Sequence, residues 1–431
     1  MTNLNSVIRK SAVSILIIRV ITIAFSFLLV PLTYNYLGEY SYGIWATIFS
    51  IANWINLMDV GISNGLRNQL TKSIEDNDEY LSKRLISTGY IVMGIITLIL
   101  IISILIVHNF VNFGVLLDSD SKLNLSVIFV VSLILMISNL YVKLIHSVLY
   151  AVHKSQWIYI VQLISNILIF LILFVYRPKH DIVEGLALIT IIFFGTPLII
   201  YLITSLFFLI KLNLIPKLKF YNQKYLHELI GLSSQFFIIQ MAVVIVNTSD
   251  TLIINSLFTP TATANFSILN KYSSIILIGT STFFTPLWAL YTKAHKEKSH
   301  TWIKNIIKKQ RLATFLIVLM CTALILISKY VFRFWIGEHF DFTFSTLIII
   351  FSINLIHYWC NIHSIYLNGI GDLQLQIKTS IISILINIPL SIYLGQFYGV
   401  NGVLFSTIIS ISVFGILGTL EVNKRLIEYE N

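Results

Sequence analysis

The sequence predicts an all-α integral membrane protein with about twelve transmembrane helices in two six-helix bundles. Three observations carry that expectation. Of the 431 residues, 57% are hydrophobic and only 11% are charged, with a mean hydropathy of +0.85; a soluble domain carries roughly 25% charged residues. Apolar runs of about 20 residues recur along the whole chain, each long enough as a helix to cross a hydrocarbon core of roughly 30 Å. The longest polar connection, 211–232, is basic and divides the runs six from six. Alternating strand patterns are missing, which argues against an outer-membrane barrel.

The first six spans are placed at 12–34, 42–64, 85–107, 125–149, 157–176 and 185–210. The second six are placed at 233–255, 263–288, 312–332, 343–367, 373–394 and 400–422. The first run lacks a small-residue cleavage site and exceeds a signal-peptide core in length, so it reads as a retained anchor. The organisation expected is an N-terminal lobe over 1–210, a cytoplasmic linker over 211–232 and a C-terminal lobe over 233–431.

Lys and Arg set the orientation. With a cytoplasmic N-terminus, twenty of the 29 fall on the cytoplasmic face, five on the opposite face and four inside spans. The positive-inside rule then puts both termini in the cytoplasm. The net charge of +10 is topogenic and dispersed over loops, and no nucleic-acid partner is expected. Two repeats of six spans point the same way across the membrane, which implies a pseudo-two-fold axis along its normal and a central cavity.

The charges inside spans each cost about 2.5–3.5 kcal/mol at the helix centre and so need a reason. The bases are Arg19, Lys143, Lys271 and Lys378; the acids are Asp59 and Asp250. Lys378 lies near a span end and reads as snorkelling. Lys143 is open between snorkelling and cavity lining. It shares a helical stripe with Asn139, His146 and Tyr150. Arg19 stands in a stripe with Thr22, Ser26 and Thr33; Lys271 stands with Ser267, Ser274, Ser281 and Thr285. Such stripes turn from lipid toward a helix interface or toward water, and the cations favour water. Asp59 lies near Arg67 and reads equally as an interfacial helix end or a functional acid. Asp250 closes the polar patch 247-NTSD-250 and is a candidate for binding a coupling H+ or Na+.

Four intramembrane bases against two acids predict an anionic ligand, with a phosphate or carboxylate that an arginine can engage by paired hydrogen bonds. There is no P-loop, no paired histidine spacing and no long external loop with carboxylates. Neither an enzyme, a metal site nor a resident cofactor is therefore expected. Cys321 and Cys360 sit alone in separate spans. The stretch NGIGDLQ around Gly369, Gly371 and Asp372 reads as a tight turn.

The whole chain resembles the bacterial polysaccharide exporters, the O-antigen and capsule-repeat flippases related to multidrug and toxic compound extruders. The resemblance rests on the six-plus-six division, on Arg19 leading into 31-PLTYNYLGEYSYGIWATI-48, on 57-LMDVGISNGLRNQL-70, and on 366-YLNGIGDLQLQIKTSIISILINIPLSIYL-394. It implies a MATE-like fold and a flippase for undecaprenyl-pyrophosphate-linked oligosaccharide, moved to the outer leaflet of the inner membrane by rocking of two lobes. Membrane lipid, a polysaccharide polymerase and a chain-length regulator are the further partners implied. In relatives, basic residues of spans one and eight line a pyrophosphate cavity, matching Arg19 and Lys271 here. Ion coupling is implied as well, with Asp250 or Asp59 as candidates. The rival is a drug or cation extruder of the same fold, which should carry acids in its cavity where span one carries Arg19.

Overall fold

The computed structural model describes residues 2–55, 58, 61–117, 125–152, 154–176, 182–230, 234–338 and 340–428. Among these residues there are helices and connections but no strand. The chain divides into two compact units, Met1–Phe237 and Ile238–Asn431.

The first unit contains α1 (Thr2–Ile55), α2 (Ile62–Glu75), α3 (Glu79–His108) and a single turn, α4 (Gly114–Leu117). It continues with α5 (Ser126–Lys143), α6 (Ile145–Ala151), α7 (Gln156–Val175), α8 (Ile182–Lys211) and a short α9 (Gln223–Ile230). The second unit is built from α10 (Ser234–Leu257), α11 (Pro260–Ser273), α12 (Ile275–Lys296), α13 (His300–Trp335), α14 (Phe344–Ile370) and α15 (Gln374–Glu428). Among the described residues these helices can be divided into twelve passages, six in each unit, when α1 and α15 are split at their kinks and α5–α6 and α11–α12 are each taken together. Eight are singly long and apolar enough to cross a membrane. Of those eight, α1 and α15 hold two passages each. The remaining two come from α10 and from the α11–α12 pair.

Two expected loops are replaced by kinks inside long helices. At Gly38 (φ 76°) α1 turns, and at Gly399 (φ 63°) α15 turns, both in the left-handed region that only glycine enters without strain. Span two also extends further than its hydropathy suggested. Beyond residue 61 the chain re-enters a helix whose Ile62, Leu66 and Leu70 form one buried stripe against Leu85, Ile86 and Tyr90 of α3 and Leu144 and Val148 of α6. The apolar face there is narrow, so a window average missed it.

Breaks in the fourth and eighth spans have identifiable causes. At Leu144 the backbone N–H bonds to the Tyr141 carbonyl at 3.3 Å, one residue tighter than an α-helix. At Ser273–Ser274 the two hydroxyls donate to the carbonyls of Asn270 and Lys271, competing with the helix ladder. The second unit packs Tyr291 of α12, Ile303 and Ile307 of α13, and Tyr358, Ile362 and Tyr366 of α14 into one core. Outward faces stay apolar, as lipid requires: Leu98, Ile99 and Ile102 of α3 and Phe315, Leu316 and Leu319 of α13 are exposed.

The connection after α8 is tied down rather than free. Ser87 accepts from Lys217 N at 3.1 Å and Thr88 from Asn222 N at 3.2 Å, which seats the basic segment on the start of α3. The turn between α14 and α15 carries more than its backbone. Asp372 caps Gln374 N at 3.2 Å and pairs with Arg425, which also bonds Glu421 at 2.7 Å.

Candidate functional site: a cationic cluster and a buried carboxylate

In the first unit four helices bring two arginines and two tyrosines together. The Arg19 guanidinium of α1 lies over the Tyr159 ring of α7, 5.3 Å from its centroid. The Arg67 guanidinium of α2 lies over Tyr150 of α6 at 4.2 Å. Tyr150 and Tyr159 are hydrogen-bonding neighbours, and Tyr150 feels both arginines. Each ring face holds a cation by its quadrupole, worth about 0.5–2 kcal/mol per contact. Neither arginine has an acidic partner among the described residues, so the planar donor forks remain available to an anion. Arg19 is half-buried and Arg67 exposed.

The rest of the span-one stripe serves packing. Thr22 (6% exposed) and Thr33 (2%) donate to the carbonyls of Ile18 and Leu29, and Ser26 donates to Ile23. Asn166 of α7 donates to the Thr22 carbonyl at 3.2 Å. The Asn166 bond sets the Thr22 turn against α7; of the stripe, the charge alone stands in the cluster.

The span-four stripe divides similarly. Asn139 is buried and donates to the Phe194 carbonyl of α8 at 2.9 Å, clamping the two helices. Lys143, at the break between α5 and α6, is half-buried with its Nζ 6.0 Å from the centroid of the Tyr201 ring. The His146 ring meets the same tyrosine edge-on at 4.9 Å. Lys143 therefore faces Tyr201 of α8, which His146 of α6 also meets, and stands seven residues before Tyr150.

The second unit holds Lys271 and Asp250. Lys271 is half-buried one turn before the α11 break. Asp250, on α10, is 3% exposed. The Thr407 hydroxyl of α15 lies 2.8 Å from both of its carboxylate oxygens, and Asn387 Nδ2 donates to that hydroxyl at 3.1 Å. Ser249 donates to Asn387 Oδ1 at 3.0 Å and closes the chain of bonds. Burying an ionised carboxylate costs several kcal/mol, and one hydroxyl proton serves only one oxygen at a time, so the group calls for a proton, a cation or a further donor. Lys378 is exposed at its helix start, and Asp59 lies outside the described residues.

A family model described as "Polysaccharide biosynthesis protein" matches residues 8–291. The chain belongs to this polysaccharide biosynthesis family. It is 24% identical over 366 residues to a protein of Yersinia pseudotuberculosis named "Putative O-antigen export protein", covering 83% of this chain and 82% of that one. Among solved structures it superposes on an inward-facing multidrug-resistance MATE transporter of the MOP superfamily. The TM-score is 0.75 at 13% identity, covering 97% of this chain and 99% of that one. The Vibrio cholerae MATE transporter VcmN D35N mutant matches at a TM-score of 0.64 and 15% identity, over 98% and 99%. The fold is MATE-like.

For this family member the sequence reading found Arg19 and Tyr150 but counted Arg67 as a loop charge and passed over Tyr159. The missed signal for Arg67 was the spacing Ile62, Leu66, Leu70, which carries a helix past the nominal span end and turns residue 67 beside Tyr150. Thr407 lies 157 residues from Asp250, which it bonds, and Asn387 lies 138 residues from Ser249, which bonds it, both beyond any local pattern.

Proposed function

We propose that this exporter translocates an undecaprenyl-pyrophosphate-linked oligosaccharide, an O-antigen or capsule repeat unit, from the cytoplasmic to the outer leaflet of a bacterial inner membrane by alternating access. The observation that carries this reading is the Arg19–Tyr159 and Arg67–Tyr150 cluster. Two guanidinium forks without acidic partners, held by aromatic faces, suit the adjacent phosphates of a pyrophosphate. Lys143 and Lys271 add positive charge along the route, and Asp250 is assigned to the coupling H+ or Na+. Both termini are cytoplasmic on this reading, and the polymerase and chain-length regulator of the same polysaccharide are its protein partners.

The test is complementation of a strain lacking its own repeat-unit flippase, at matched membrane abundance of each variant. Wild type restores surface polysaccharide. Arg19→Ala and Arg67→Ala each lose it, since a charge-assisted phosphate contact is worth about 1.5–3 kcal/mol, or roughly 10- to 150-fold. Arg19→Lys retains a fraction because the charge survives without the fork. Wild-type export by both alanine variants would remove the cluster from the mechanism. Loss of cation efflux in place of polysaccharide export would favour the drug extruder.

A further inference from the structure

One cavity in the second unit is unrelated to either site. It has a volume of about 460 Å³, within the roughly 300–1,000 Å³ of small-molecule clefts. It lies where the start of α11, the turn between α13 and α14, and the kinked segment of α15 after Tyr398 meet. That is the end of the unit opposite the basic turn joining α12 to α13, because α13 runs once from that turn to the cavity. On the function proposed above, this end faces the compartment where cargo is released.

The lining is half polar chemistry and half flat apolar surface. Asn265, Asp341, Thr343 and Asn401 supply amides, a carboxylate and a hydroxyl; Phe266, Phe342 and Tyr398 supply rings. Asn401 is pre-set, with Oδ1 accepting from Thr346 at 2.7 Å and Nδ2 donating to Ser345 at 3.1 Å. Asp341 is exposed and makes no hydrogen bond or ion pair among the described residues. Tyr398 is 65% exposed at the rim. The neighbouring charges of the α13–α14 turn, Arg333 and Glu338, neutralise each other.

We propose that this cavity is a saccharide-binding subsite that takes a neutral sugar ring of the exported glycan. A sugar presents vicinal hydroxyls, which planar carboxylate and amide groups engage in pairs, and an apolar C–H face, which stacks on aromatic rings. The acidic Asp341 sets the selectivity: neutral hexoses and N-acetylhexosamines are accepted, and uronic acids are repelled. The inference rests on the exporter reading for its cargo and on the lining residues alone for its chemistry.

The experiment uses the full chain in lipid nanodiscs and saturation-transfer-difference NMR. The probes are methyl glycosides of glucose, galactose, mannose, N-acetylglucosamine and glucuronic acid, together with the oligosaccharide freed by mild acid from the host's lipid-linked pool. At least one neutral probe should bind saturably, and the glucuronide should not. Asp341→Ala and Tyr398→Ala, both at exposed positions that spare the packing, should each weaken binding about tenfold. Arg19→Ala should bind sugar as wild type does. Absence of binding by every probe, preference for the glucuronide, or undiminished binding in both variants overturns the assignment. Complementation run in parallel separates the two claims. Restored polysaccharide without sugar binding sinks the subsite alone, whereas sugar binding by a chain that fails to complement sinks the exporter reading alone.

Discussion

Thr407→Val is the most informative single change in the second unit. It keeps the volume of the side chain and removes one hydroxyl, which is the described donor to Asp250 and the acceptor of Asn387. A hydrogen bond to an ionised group contributes about 1.5–3 kcal/mol, and stranding the buried Asn387 amide costs about 1–3 kcal/mol more. The expected loss is about 3–5 kcal/mol when Asp250 is charged, a large share of a typical folding free energy. Asp250→Asn instead removes the charge at constant shape, which for buried ions is often neutral or stabilising. In the Asp250→Asn background, Thr407→Val still strands the Asn387 amide, but its bond to position 250 is neutral and worth about 0.5–1.5 kcal/mol in place of about 1.5–3 kcal/mol. The two changes are thus non-additive by about 1–1.5 kcal/mol, as expected for residues in direct contact. Thermal midpoints of the four proteins in one detergent read the sign and order of these effects. Polysaccharide export in cells reads the function, and Asp250→Asn should fold normally yet export poorly. Equal drops for Thr407→Val in both backgrounds would refute a charged state at Asp250, and full export by Asp250→Asn would remove it from coupling.

The close approach of α14 to α12 makes Gly369→Ala destabilising. The added Cβ would stand 2.6 Å from Tyr291 Cβ and 3.2 Å from the Trp288 carbonyl oxygen; overpacking of this kind costs about 1–3 kcal/mol. The thermal midpoint should fall, and an unchanged midpoint would mean that the two helices separate without penalty. Asp372→Ala should have a small effect in the same assay. Its pair with Arg425 is partly exposed and Glu421 keeps hold of the arginine, so a loss below about 1 kcal/mol is expected. A drop as large as that of Gly369→Ala would contradict this.

The sequence by itself determined that the chain crosses a membrane, how often, and where its charges interrupt apolar helices. Those are consequences of hydropathy summed over about 20 residues, a local quantity that needs no partner. It also identified Arg19, Lys143, Lys271 and Asp250 as costly, since an ionisable group among apolar neighbours is conspicuous in one dimension. Tertiary structure alone decided what each of them meets. Thr22 and Thr33 share a stripe with Arg19, yet both are buried and bond their own backbone, because helical spacing defines a face without saying what lies opposite. Arg67 joins Arg19 only because α2 continues past its apolar core and α6 and α7 carry Tyr150 and Tyr159 to the same place. Asp250 acquires Thr407 and Asn387 from the far end of the chain. The cavity at Asp341, Tyr398 and Asn401 arises from three segments that no sequence window holds together. Contacts of this range are settled by packing, so hydropathy reveals which residues need partners and the fold decides who the partners are.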